Sequence, residues 1–187
     1  MKEPVRTFIC IEIPETIKQR IERLQATIKT AGAQVSWTKP SNIHLTLKFL
    51  GDVAASRIKE VEAAVRLAAG QVTEFEIEVG GAGCFPNTRN PRVLWVGLIA
   101  LPEALSRLQR LMEDELEAKG FPRDSKRFSP HLTIGRVRSP ERAREAVERL
   151  IAEGFEAERF VAHEVIVMRS DLKPTGSVYT PQASIRL

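Results

Sequence analysis

Asn42-Ile43-His44-Leu45-Thr46-Leu47-Lys48-Phe49-Leu50-Gly51 and Phe128-Ser129-Pro130-His131-Leu132-Thr133-Ile134-Gly135-Arg136-Val137 are the stretches whose reading decides the fold. Each holds a His-Leu-Thr triplet followed by an aliphatic residue, and each follows a proline turn, Pro40-Ser41 or Ser129-Pro130. Both alternate as strands do. Residues i and i+2 of a strand share a face, so His44 stands beside Thr46 and His131 beside Thr133. Leu45, Leu47, Leu132 and Ile134 point the other way, toward a core. The two histidines are 87 residues apart (131 − 44).

The flanking elements repeat as well. Residues 8–13 read as a strand, and Pro14-Glu15 opens a helix with Ile17, Ile21, Leu24 and Ile28 at helical spacing, ended by Gly32. A short extended piece covers 35–38. The strand at 44–50 closes at Gly51-Asp52, a helix covers about 55–69, and residues 74–79 alternate as a strand before the flexible-looking Gly80-Gly81-Ala82-Gly83. The second half repeats the order: strand 92–98, helix 102–119, strand 131–137 and helix 140–153, with final strands near 157–168 and 177–185. Pro14-Glu15 and Pro102-Glu103 recur 88 residues apart (102 − 14). The expected fold is α+β and bilobal: two pseudo-twofold-related lobes whose antiparallel sheets face a central cleft, residues 1–187 forming a single domain.

Composition sets bounds and no more. A chain of 187 residues, 43% hydrophobic and 28% charged, can bury a sizeable core and is ordinary for a soluble globular protein. No apolar run approaches the ~20 residues that span a bilayer, and Met1-Lys2-Glu3-Pro4-Val5 lacks a signal-peptide pattern. A cytoplasmic protein is expected. Cys10 and Cys84 form no Cys-x-x-Cys and read as small buried thiols. A net charge of +4 suits a polyanionic substrate without requiring one.

Chemistry resides in the paired motif. If a pseudo-twofold axis brings the two polar faces together, two imidazoles and two hydroxyls line one cleft. That set suits in-line displacement at phosphorus. One imidazole, neutral, takes a proton from the attacking water; the other, protonated, supplies one to the departing oxygen. Thr46 and Thr133 can donate hydrogen bonds to the non-bridging oxygens, where transition-state charge collects. A zinc site competes poorly, because catalytic zinc takes three protein ligands and no His-Glu-x-x-His or cysteine cluster is present. A nucleophile at Ser129 or Cys84 lacks a context such as Gly-x-Ser-x-Gly. No cofactor and no metal are expected.

The paired tetrads resemble the signature of the 2H phosphoesterase superfamily. More narrowly, the chain resembles the RNA 2′,3′-cyclic phosphodiesterases, also called 2′-5′ RNA ligases. The likeness extends through Phe8-Ile9-Cys10-Ile11, Trp37, Phe85-Pro86-Asn87, Pro91-Arg92-Val93-Leu94-Trp95-Val96-Gly97 and Val178-Tyr179. It implies a bilobal fold, hydrolysis of a 2′,3′-cyclic phosphate to a 2′-phosphate, and a weaker capacity to join 2′-5′ RNA ends. It also implies that His44 is the proton donor and His131 the proton acceptor. The expected partners are RNA with a 2′,3′-cyclic phosphate end or a small cyclic nucleotide, met by a monomer away from any membrane. A 2′-5′ ligase and a nucleotide-binding module that has lost catalysis are the alternatives.

Other residues carry weaker signals. By alternation Lys48 shares the face of His44 and Thr46, while Arg136 falls opposite His131 unless the strand bulges. Phe8, Trp37, Trp95 and Tyr179 are candidates for base stacking or for core. Arg123, Lys126 and Arg127 are candidates for an RNA backbone or for a solvated loop. His163 has no threonine two residues on and reads as structural.

Overall fold

The computed structural model describes residues 3–174 and 176–187. In chain order the elements are β1 (Val5–Glu12), α1 (Glu15–Lys29), β2 (Val35–Trp37), β3 (His44–Val53), α2 (Ile58–Ala69), β4 (Phe75–Phe85), β5 (Val93–Leu98), α3 (Glu103–Ala118), β6 (Leu132–Val137), α4 (Arg144–Glu153), β7 (Glu158–Ala162), β8 (Glu164–Lys173) and β9 (Gly176–Arg186). The strands form one antiparallel sheet in the order β7-β4-β5-β6-β3-β1-β8-β9, with β2 also pairing on β6. The order is symmetric about the junction between β3 and β6. The two lobes therefore meet through the strands that carry the histidines.

The helices cross over. α1 follows β1 in the chain yet packs on α4, beside the β6-β5-β4-β7 half, and α3 follows β5 yet packs on α2, behind the β3-β1-β8-β9 half. Each helix has an apolar stripe at 3–4-residue spacing: Ile17, Ile21, Leu24 and Ile28 in α1, and Leu105, Leu108, Met112 and Leu116 in α3, all buried. Burying one such side chain stabilises by ~1.5–3 kcal/mol, so the two stripes are a large share of the packing energy. Both helices stop at a glycine in the left-handed region, Gly32 (φ 70) and Gly120 (φ 78).

The stripes also contain one buried polar residue each, Gln25 and Glu113. Gln25 Nε2 donates to the carbonyls of Thr38 and Ile134, both at 2.8 Å. Glu113 accepts from Lys48 Nζ with both oxygens, at 2.8 and 2.7 Å, in a fully buried ion pair. Removing one partner of such a pair costs about 3–5 kcal/mol, whereas replacing both with apolar side chains is often neutral.

Most sequence expectations hold with shifted boundaries. The helix expected at 140–153 begins as a 3-10 turn, Pro140–Arg142, and the strand expected at 157–168 is β7 plus the start of β8. Gly80-Gly81-Ala82-Gly83 lies inside β4 instead of forming a flexible break. Gly81 (φ 65) is the extra residue of a bulge against β5, and a Cβ on Gly83 would sit 2.6 Å from the Trp95 ring. The glycines serve close packing within the strand. Among the described residues no helix is long and apolar enough to cross a membrane.

Candidate active site

β3 and β6 meet antiparallel at one pair, Leu45 opposite Leu132. That register sets Thr133 across from His44 and His131 across from Thr46. Leu45 and Leu132 are fully buried under the helices, so the flanking residues emerge on the opposite, concave face. The four residues singled out by the paired motif thus come together at the junction of the lobes. A cavity of about 410 Å³ is lined by His44, Thr46, Thr133 and Arg136. Thr46 also borders a second cavity, of about 280 Å³, which holds His131, Lys126 and Arg127.

Both imidazoles are oriented in the same way. His44 Nδ1 donates to the Asn42 carbonyl and His131 Nδ1 to the Ser129 carbonyl, each at 2.8 Å. A carbonyl can only accept, so Nδ1 carries a proton in either charge state and Nε2 is left for the cleft. Nε2 can then accept a proton when the ring is neutral and donate one when it is charged.

The rings differ in their surroundings. His44 stacks on Phe8 at 4.7 Å between centroids and meets the edge of Tyr179 at 5.3 Å. Burial pushes its pKa down to about 4; the Asn42 carbonyl opposes this and Lys18 adds to it. His131 meets Phe85 edge-on at 5.0 Å. Burial lowers its pKa too, opposed by the Ser129 carbonyl and assisted by the charge of Arg136. Burial thus favours the neutral form of both rings.

Two bulges reassign side chains that strict alternation misplaces. In β3 the register against β1 runs Cys10–Thr46, then Ile9–Lys48, so Leu47 is an inserted residue. Lys48 consequently turns out of the His44 cavity and into the helix layer, where it meets Glu113 while still bordering the His131 cavity, and Phe49 emerges 61% exposed on the cleft face. In β6 the register against β5 runs Leu94–Gly135, then Trp95–Thr133, so Ile134 is the inserted residue. Arg136 therefore reaches the cavity of His44 and the threonines. Alternation assigns Lys48 to the cleft and Arg136 to the far side; each bulge reverses one assignment.

The remaining candidates separate cleanly. Phe8 is buried against His44, while Tyr179 stays half-buried at the cleft edge. Trp95 packs on Phe85 and over Gly83, and Trp37 lies under the Lys29 ammonium. Arg123 is bound to Asp114 and Glu117 on α3, which leaves Lys126 and Arg127 as the basic residues of that loop facing the cleft. His163 pairs with Glu74 at the surface, at 3.0 Å, away from the cleft. Cys10 and Cys84 are buried free thiols, and burial pushes Cys10 up to about 12, far from a nucleophilic thiolate. Among the described residues no group of three or more His, Cys, Asp or Glu side chains is arranged to hold a metal ion.

Residues 11–95 and 99–179 match the family described as LigT like Phosphoesterase. The chain belongs to that family. It is 40% identical over 185 residues to an RNA 2′,3′-cyclic phosphodiesterase of Methanothermobacter thermautotrophicus, covering 98% of this chain and 99% of that one. It is 33% identical over 177 residues to one of Archaeoglobus fulgidus, covering 94% and 96%. Among solved structures, that of Escherichia coli LigT complexed with 3′-AMP superposes with a TM-score of 0.78 at 27% identity, over 99% of both chains.

Proposed function

We propose that this protein hydrolyses RNA 2′,3′-cyclic phosphodiester ends to 2′-phosphomonoesters, with His44 as proton donor and His131 as proton acceptor. It is an enzyme, a hydrolase of the cyclic phosphodiesterase type. The observation that supports a two-histidine site is the junction itself, where one antiparallel pair sets two His-x-Thr strands side by side, and the donor and acceptor roles follow the family resemblance. In-line displacement needs a base on the entering side of phosphorus and an acid on the leaving side. Two imidazoles with Nδ1 tied to backbone present two Nε2 atoms suited to those tasks.

In this reading Thr46 and Thr133 hold the non-bridging oxygens and Arg136 adds positive charge beside them. The negative phosphate favours the protonated form of the donor imidazole. His131 Nε2 accepts a proton from water as the water oxygen bonds to phosphorus, the P–O3′ bond breaks, and His44 Nε2–H gives its proton to the departing 3′-oxygen. The continuous sheet and shared helix layer support a single domain over 1–187. RNA ends and small cyclic nucleotides are the proposed partners, met by a monomer in the cytoplasm.

The ligase direction has one observation in its favour. The cavity beside His131 also holds Lys126 and Arg127, whose charges suit the phosphates of an incoming strand that carries a 5′-hydroxyl. The deciding experiment treats a 2′,3′-cyclic phosphate-ended oligonucleotide with the protein in excess chelator and identifies the product. A 2′-phosphate supports hydrolysis without metal, and a longer 2′-5′-linked strand supports ligation. Loss of all turnover, restored by one divalent metal, would overturn the two-histidine mechanism.

A further inference from the structure

We propose that Gln25 and Glu113 are positioning residues that hold the two His-x-Thr strands at their bulges, Glu113 acting on His131 through the loop before it. The proposal rests on His131 being a group of the active site. The two side chains are related by the lobe repeat. They lie 88 residues apart (113 − 25), the offset that also relates Pro14 to Pro102. Because the helices cross over, each belongs to one half of the chain and grips the catalytic strand of the other.

The grip falls at the inserted residues. A bulge leaves its extra residue outside the regular ladder, so its backbone groups need another partner. In β6 the inserted residue is Ile134, and its carbonyl accepts from Gln25 Nε2 at 2.8 Å and from Thr38 N at 3.0 Å. In β3 the inserted residue is Leu47, and the next side chain, Lys48, is turned inward onto Glu113. The same bulges aim Arg136 and Phe49 into the cleft. Two unrelated chemistries, an amide on a carbonyl and a carboxylate on an ammonium, thus occupy equivalent places.

Glu113 makes a further connection. Its Oε2 accepts from the Asp124 backbone N–H at 3.3 Å, and Asp124 Oδ1 lies 3.6 Å from Lys48 Nζ. Asp124 belongs to the segment between α3 and β6, which contains no helix or strand. Ser129, five residues further along that segment, has the carbonyl that holds His131 Nδ1. A path of direct contacts therefore runs from β3, through Lys48 and Glu113, to the loop that orients the second imidazole. His44 takes its carbonyl from Asn42, at the end of a 3-10 turn that is separate from the α3–β6 segment.

The test is the double variant Lys48→Met/Glu113→Leu in the full chain, read by melting temperature, ring nitrogen NMR of the unliganded protein, and turnover of a 2′,3′-cyclic nucleotide. Apolar replacement of both partners should preserve the fold. The expected result is that His131 loses its fixed Nδ1–H form, becoming a tautomer mixture, while the His44 signal stays put. kcat should fall roughly 10- to 100-fold with KM little changed, as expected for a misplaced catalytic group. Asp124→Ala, at a half-exposed loop position, should shift the same ring in the same direction by less; it serves alone if the double variant does not fold. Gln25→Met should lower kcat while leaving the His131 tautomer intact. A folded double variant, or an Asp124→Ala protein, with both rings unchanged and kcat within about twofold of the parent would overturn the Glu113 path. Wild-type kcat in Gln25→Met would overturn the Gln25 half. The ring signals are read without substrate, so a shifted His131 in a protein inactive on cyclic phosphates would fault the functional reading and leave the positioning path standing.

Discussion

The two lobes share a skeleton and differ in how they treat their histidine. In one, His44 is stacked on Phe8 and edged by Tyr179, and burial pushes its pKa down to about 4. In the other, His131 meets the edge of Phe85 and borders an open cavity with Lys126 and Arg127. The hydrogen bond that orients each ring is the same, Nδ1 to a carbonyl two residues back at 2.8 Å. The repeated motif thus supplies matched geometry, and unmatched packing makes the two rings chemically distinct. An acid and a base need that distinction.

The largest expected effect breaks the pair outright. His44→Ala and His131→Ala should each lower kcat by ~10²- to 10⁴-fold, the usual cost of a missing general acid or base, while His163→Ala stays near wild type. A substrate with sulfur in place of the bridging 3′-oxygen sharpens the comparison. A thiolate leaves without a proton, so His44→Ala should regain much of its rate on it and His131→Ala should not. Rescue of His131→Ala alone would exchange the two roles.

The threonines come next. Thr46→Ala and Thr133→Ala should each lose roughly 1–3 kcal/mol of transition-state stabilisation, as for a hydrogen bond to a charged group, visible in kcat/KM. Because the register crosses each threonine to the opposite histidine, the two losses should be similar; a large inequality would mean that one lobe alone holds the phosphate.

A stability measurement tests the asymmetry without substrate. His44 has a folded-state pKa depressed from 6.5 to about 4. Between those values the unfolded chain binds more protons, so stability is full above pH 6.5 and is lost as pH falls toward 4. At pH 5 the loss from this ring should be about 2 kcal/mol. Denaturation of wild type and His44→Phe at pH 7.5 and pH 5 isolates it: the variant, which retains the stack on Phe8, should lose less stability on acidification. Equal losses in the two proteins would show that burial of His44 does not hold it neutral.

An effect confined to binding concerns Phe49, which the β3 bulge exposes to the cleft where β6 presents Arg136. If it stacks a base, Phe49→Ala should weaken oligonucleotide binding by ~1–3 kcal/mol, raising KM, with folding stability unchanged. An unchanged KM would remove Phe49 from the substrate surface.

Much of this arrangement is legible in the amino-acid sequence. The His-x-Thr tetrads set four side chains on two strand faces, because a strand's period of two is a local property of the backbone. The helix stripes and their glycine stops mark four helices, and the repeat implies two lobes with a paired cleft. His163 is separable from the other two histidines by the threonine it lacks. What alternation cannot supply is the place where alternation fails. An inserted residue is defined by the neighbouring strand, so the bulges at Leu47 and Ile134 exist only once β1 and β5 are paired. Tertiary structure places Lys48, Phe49 and Arg136 for that reason. The crossover of the helices is likewise a matter of packing between elements distant in sequence, and it alone sets Glu113 on Lys48 and Gln25 on Ile134. Sequence determines which four side chains of the paired motif share a face, and pairing between distant strands decides which of their neighbours join them.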